Sequence, residues 1–476
     1  MHRELINYFR CPEEAADFHL QGSLSEDAGF FCFGPDTVCY GRSATGELCR
    51  HVNGGLYDTM ADVQVHGSVA ELPFDPDEVA QNLRRERYVN GNAGPLKKLA
   101  GTAKRKIYYF FRPFMPVPVR KHLQKSHLNG WRNLRFPHWP VDSSVDTLME
   151  KLLTLAIRCN GGQKVPFIWF WPEGKTACAL MTHDVEHTPG LDYCPRLMDI
   201  NESFGIPASF QVVPEKRYAA TGKCLREMKQ RGFEVLVQDL NHDGQLYWDH
   251  EEFRRRAAKI NRYGKEWGAS GFRAGVLYRN QDWFDELDFE YEMSVPNVAH
   301  LDPQRGGCCT VMPYFVGKIL EIPVTATQDY SLFHILNDYS MALWERQIDI
   351  ILRKHGVLNM IVHPDYLTGP REEGIYKELL GLYVRMRREQ NVWIPLPGEA
   401  NTWWRQRSQM RLVYDGNVWR IEGAGKERAM VAFASLEQDR LTYTLEDPSG
   451  EVMKPPASEY LPSEIVSPPQ KVSSLR

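Results

Sequence analysis

"TACALMTHDVEH", residues 176–187, decides how this chain is read. A short apolar run of strand length carries His183, Asp184, Glu186 and His187 crowded at its carboxyl end. In βα units the loops at the carboxyl ends of parallel strands converge on one face, and sites are built there. The same design recurs further along in "FEVLVQDLNHDG" (233–244), "ASGFRAGVLYRN" (269–280) and "VLNMIVHPDY" (357–366). Four such tips in succession point to a shared pocket, whereas any one alone reads as a turn or a cap.

The runs "PFIWFW", "PASFQVV", "YEMSV" and "ILEIPV" extend the strand-like series. Stretches of helical period lie between several of the runs, at Tyr193–Phe204, Lys223–Arg231, His250–Tyr263 and Tyr339–Lys354. Strand, polar tip and helix in alternation is the rhythm of an α/β fold with a parallel sheet. With so many units, a closed or nearly closed (β/α) barrel over 165–404 fits better than an open sheet. Residues 1–90 form short runs between Gly-rich turns and read as a smaller N-terminal α+β domain. Residues 91–164 read as a basic linker and helical region. Residues 405–476 carry strand-like runs between Gly and Asp turns, a small C-terminal β domain ending in a Pro/Ser-rich tail.

A chain of 476 residues has room for roughly two to four domains. A formal net charge of -4 with 43% hydrophobic residues describes a globular protein and argues against nucleic acid as the partner. Lys97 to Arg135 is the exception. It holds eleven Lys or Arg and no Asp or Glu, interleaved with aromatics and prolines. Such a stretch suits peripheral contact with an anionic membrane, contact with an RNA backbone, or packing of its aromatic side on the main domain. The N-terminus lacks the apolar core of a signal peptide, and no apolar stretch is long enough to span a bilayer. Ten cysteines without a CxxC pair read as reduced thiols. Together these give a cytoplasmic protein, peripheral at the inner membrane face if 97–135 engages lipid.

Asp184 and Glu186 are two apart, so a turn at Val185 is needed for both to face one pocket. One would then bind a metal while the other takes a proton from water. Glu186 with His242 is a mixed oxygen and nitrogen set suited to Zn²⁺ or a similar divalent ion. Arg273 is placed to pair with Asp184 and fix its rotamer, or to serve as a structural ion pair. His363, held extended by Pro364, is placed to protonate a leaving group. Tyr247, Trp248, Tyr278 and Trp283 are candidates to stack on a sugar ring, and equally ordinary rim packing.

From Lys175 to Asp365 these motifs resemble the polysaccharide deacetylases, the NodB-like carbohydrate esterases. The resemblance implies an irregular (β/α) barrel, a divalent metal that is usually zinc, and hydrolysis of acetyl groups or related C–N bonds. Asp184 matches the catalytic base. The metal-binding acid falls on Val185 or on Glu186, and Glu186 is preferred because valine offers no ligand atom. The second motif places His242 as a ligand but Gln238 where a histidine is expected, so that either His187, His183 or Asp239 completes the set or the metal is weak or absent. Arg273 in "FRAG" matches the arginine motif, with Gly275 where proline is usual, and His363 in "VHPDY" matches the late histidine motif. The expected activity is removal of acetyl groups from an amino sugar or glycan precursor by a metal-dependent hydrolase. The alternative is an impaired barrel kept as a glycan-binding or assembly scaffold.

Overall fold

The computed structural model describes residues 3–52, 54–90, 123, 126–446 and 452–453. Most of the basic stretch 97–135, namely 97–122 and 124–125, therefore lies outside the described residues, as does most of the Pro/Ser-rich tail.

The "TACALMTHDV" run folds as β1 (Cys178–Val185), buried along its whole length. It is followed by α1 (Thr188–Phe204), β2 (Ser209–Val212), α2 (Gly222–Gln230), β3 (Glu234–Gln238), α3 (His250–Trp267) and β4 (Gly271–Arg273). Then come β5 (Tyr291–Glu292), β6 (Tyr314–Val316), β7 (Ile319–Glu321), α4 (Ala342–Arg353), β8 (Val357–Val362) and α5 (Pro370–Glu389). Local chemistry sets these boundaries. Thr221 and Asp249 accept backbone N–H groups of the first turns of α2 and α3. Gly205 and Gly268 end α1 and α3 in the left-handed conformation that glycine adopts without steric cost.

The eight strands form one curled sheet in the order β6-β7-β5-β4-β3-β2-β1-β8. All neighbours are parallel except β6 and β7, which form an antiparallel pair at one edge. Register brings the tips together: His183 lies opposite Val362, Asp184 opposite Gln211, and Gln238 opposite Arg273. Irregular chain spans the gap between the sheet's ends. Val357 N–H donates to the Val311 carbonyl (2.8 Å), and the Thr325 hydroxyl donates to the Val357 carbonyl (2.7 Å). The result is an irregular barrel closed partly by loops. α3 turns Phe253, Ala257 and Ile260 inward at helical spacing, and its charged residues face outward.

One expectation needs correction. "PFIWFW" is a strand, Val165–Ile168, but it belongs to another sheet, pairing antiparallel with Val431–Glu437. The region 91–164 also contains a core helix, Ser144–Cys159, whose Leu148, Met149, Leu152 and Leu153 are fully buried. N-terminally, Asp17–Leu20, Val69–Leu72 and Gln64–His66 make a three-stranded sheet beside the hairpin Gly29–Cys32 and Val38–Gly41. C-terminally, the helix Pro397–Gln409 crosses position 405 and leads into the hairpin Arg411–Tyr414 and Trp419–Glu422. Among the described residues no helix is long and apolar enough to cross a membrane.

Candidate active site

Two buried dyads stand at the carboxyl face of the sheet. The first is Asp184 at the end of β1 with Arg273 at the end of β4. Arg273 Nη1 donates to Asp184 Oδ1 (2.6 Å) and to the Thr182 hydroxyl (2.9 Å), and its Nε donates to the Met293 carbonyl (2.9 Å). Arg273 is 0% exposed and Asp184 4%. Neither charge would be tolerated alone at that depth, because removing one partner strands the other without solvation. Gln238 Nε2 donates to the second oxygen of Asp184 (3.1 Å), so each carboxylate oxygen receives one hydrogen bond and keeps acceptor capacity.

The second dyad is His363 with Asp329, which approach to 2.5 Å through Nδ1 and Oδ1. Asp329 also accepts the His363 backbone N–H (2.7 Å), which fixes both backbone and ring. Burial alone would push the imidazolium down, but the charge and hydrogen bond of Asp329, with Glu186 and Asp184 beyond it, raise His363 to about 10. At neutral pH it is therefore a charged proton donor whose Nε2 lies 3.7 Å from Glu186 Oε1. His242 Nε2 approaches the same oxygen to 2.9 Å, although off the line of a hydrogen bond. Burial works against the Glu186 carboxylate, but the nearby His242 ring and the charge of His363 hold it below the usual carboxylate range. The turn that Glu186 needs is supplied by Asp365, which accepts the Glu186 N–H (3.0 Å) and the Gly190 N–H (3.2 Å) at the start of α1. A Cβ at position 190 would lie 2.2 Å from the Asp365 carboxylate, so that approach requires glycine.

The loop after β3 is tightly wound. Asp239 and His242 both have positive φ, an uncommon conformation for such residues and one that clusters at functional sites. Gly275, in the arginine motif, is required by this loop: a Cβ there would meet the Asp239 carboxylate at 2.6 Å and the His242 ring at 2.9 Å. The rim aromatics are packed rather than presented, with Tyr247 and Tyr278 buried and Trp283 stacked on Tyr247 (5.9 Å).

Of the four residues expected at a metal, Glu186 and His242 are brought together, whereas His187 and Gln238 are not. Gln238 is turned to Asp184. His187 is about half exposed, and its Nδ1 faces Asp365 at 3.5 Å. Of the other recruits named from the sequence, His183 is committed elsewhere. His183, fully buried, has Nδ1 on the Val362 carbonyl (3.2 Å) and Nε2 by the Asn201 amide (3.3 Å). Asp239 accepts the Leu240 N–H through Oδ1, while its buried Oδ2 has no hydrogen-bond partner. Zinc needs at least three protein donors with lone pairs on one point. Glu186 and His242 are two, and Val185 offers no donor atom. Among the described residues no group of three or more His, Cys, Asp or Glu is arranged to hold a metal ion. The residues present do not fit the zinc that the family resemblance implies.

Two contributors were not named from the sequence. Asp329, in "TATQDY", orients His363 from the loop after β7, and Arg217, in "VPEKRY", reaches in from the loop after β2. Each lies just beyond a strand end, which was the available signal.

No protein-family model matches this chain, and no curated protein is a significant match. Comparison with solved structures returns matches to part of the chain. A protein described as a polysaccharide deacetylase from Mycobacterium smegmatis is 19% identical with a TM-score of 0.41, covering 50% of this chain and 93% of that one. An allantoinase is 12% identical with a TM-score of 0.41, covering 49% and 92%. A family 4 acetyl xylan esterase from Clostridium thermocellum, in complex with a cobalt ion, is 17% identical with a TM-score of 0.30, covering 48% and 91%. Each of these alignments spans about half of this chain.

Proposed function

We propose that this protein is a deacetylase-like hydrolase that removes an acetyl group from an amino sugar or glycan precursor by cleaving a C–N bond. The observation that carries the reading is that Asp184 and His363, each held by its own buried partner, sit at the tips of adjacent parallel strands. They are close enough for the charge of Asp184 to bear on the His363 ring.

The roles follow from protonation state. Asp184, with a lone pair left on each oxygen, accepts a proton from a water as that water's oxygen attacks the acetyl carbonyl carbon. Arg273 and Gln238 fix the carboxylate so that it faces the water in one orientation. His363, protonated at rest, gives its Nε2 proton to the departing nitrogen as the C–N bond breaks, and Asp329 holds the ring throughout. The products are acetate and the free amine. Glu186, ionised between His242 and His363, keeps His363 charged until that transfer. The site lies under a buried rim, where such interactions are worth more than in water.

A second reading, an impaired barrel retained as a glycan-binding scaffold, is favoured by Gln238 at the position where the family expects a histidine. The basic stretch 97–135 and a cytoplasmic location are proposed to bring the protein to lipid-linked precursors at the inner membrane face. The hydrolase reading is tested by acetate release from a panel of N-acetylated amino sugars and their oligomers, with glycan binding measured in parallel. Release from at least one substrate supports it. Binding without release from any of them overturns it in favour of the scaffold.

A further inference from the structure

Arg217 enters the site from the loop after β2 and meets both histidines that the sequence offers as metal ligands. Its Nη1 lies 3.0 Å from His187 Nε2, and its Nη2 lies 3.3 Å from His242 Nδ1. The same group donates to the His242 carbonyl, and its Nε to the Asn241 carbonyl (3.3 Å), so the guanidinium is anchored from several sides. A guanidinium has five N–H donors and no acceptor, and it does not lose its proton in proteins. Each imidazole nitrogen facing it must therefore be the acceptor.

A neutral imidazole has one such lone pair. For His242 the lone pair is at Nδ1, which puts the ring proton on Nε2, the atom facing Glu186 at 2.9 Å. For His187 the lone pair is at Nε2, which puts the proton on Nδ1, the atom facing Asp365 at 3.5 Å. Metal-binding histidines show the reverse arrangement: the nitrogen away from the metal donates to a carboxylate or carbonyl, leaving the other with its lone pair on the metal.

We infer that Arg217 takes the place of a divalent cation in this site, using the single lone pair of each imidazole and supplying a fixed positive charge between His187 and His242. This closes the site to tight zinc binding independently of Gln238. It does not depend on the hydrolytic reading, because it concerns which nitrogens carry protons.

Two measurements on the full chain test it. Long-range ¹H–¹⁵N correlation spectra of the histidine rings should show His242 protonated at Nε2 and His187 at Nδ1. A wild-type spectrum with His242 protonated at Nδ1 overturns the inference without any variant. Zinc affinity, measured by competition with a chelating dye, should then separate Arg217 from Gln238. Gln238→His alone should stay weak, and Gln238→His/Arg217→Met should bind about 10–100-fold more tightly. Equal affinities of the single and double variants, or near-stoichiometric zinc in the wild type, overturn it.

Discussion

At the scale of single residues, the account turns on buried charges that tolerate no loss of partner. Asp184→Ala leaves the Arg273 guanidinium buried and unpaired, and is expected to cost about 3–5 kcal/mol, read from urea denaturation. Asp184→Asn keeps an acceptor for Arg273 and should cost less while removing the proposed base. His183 gives a pH signature. Burial depresses it to about 3, with the Val362 carbonyl as the opposing influence. A depressed folded-state value means the unfolded chain binds the proton first. Stability is therefore complete above pH 6.5 and falls as pH drops from 6.5 toward 3, by about 1.4 kcal/mol per pH unit. His355 and His300, both depressed to about 4 by burial, act in the same direction, so chemical denaturation between pH 7 and 4 should show a fall of at least that slope, and His183→Gln should reduce it without abolishing it. The pairing of Asp184 with Arg273 was readable in the sequence because opposite charges at two strand tips of one sheet have few other partners. The orientation of Gln238 was not, since whether an amide faces a carboxylate or a metal depends on rotamers that spacing does not encode. Asp329 and Arg217 were missed because their partners lie in loops distant along the chain.

At the scale of elements, the strand tips are held by a second buried pair outside the site. Glu86, itself at positive φ, accepts from Arg279 Nε (2.8 Å) and from the Gly307 N–H (2.6 Å). Arg279 follows the arginine motif, so this contact clamps the loop after β4 to the N-terminal elements. Gln281 adds to the clamp by donating to the Arg84 carbonyl (2.8 Å). Glu86→Ala should destabilise the protein by about 3 kcal/mol or more. It should also speed hydrogen exchange across 275–286 and 305–309, while Glu251→Ala on the exposed face of α3 changes neither. The barrel strands themselves were legible from apolar runs ending in polar tips. The run 165–168 was equally apolar, and nothing in it said that its neighbour is Val431–Glu437, because strand partnership is a property of topology rather than of local pattern.

At the scale of the whole molecule, one core runs through parts that the sequence suggests are separate. Phe31 and Leu83 from the N-terminal elements and Leu152 from the helix Ser144–Cys159 belong to it. So do Leu180, Leu236 and Met293 from the barrel, and Ala432 and Leu445 from the C-terminal sheet. Arg407, fully buried in the helix Pro397–Gln409, ties three of these regions together by donating to the carbonyls of Phe9 (3.1 Å) and Trp169 (2.9 Å). A chain ended after Met410 should therefore fail to give a folded barrel, because Val165–Ile168 loses its sheet partner and the apolar core beneath it is exposed. Circular dichroism and solubility of that truncation check this, with full helical signal and a cooperative melt as the contrary result. The central claim, that Asp184 and His363 form the acid–base pair of a deacetylase-like hydrolase, is tested most directly by kcat/KM for acetate release from an N-acetylated amino-sugar oligomer. Wild type, Asp184→Asn and His363→Gln would be compared, each shown to be folded. The account predicts release by the wild type and a fall of about 10²–10⁴-fold in each variant; equal rates across the three proteins would contradict it.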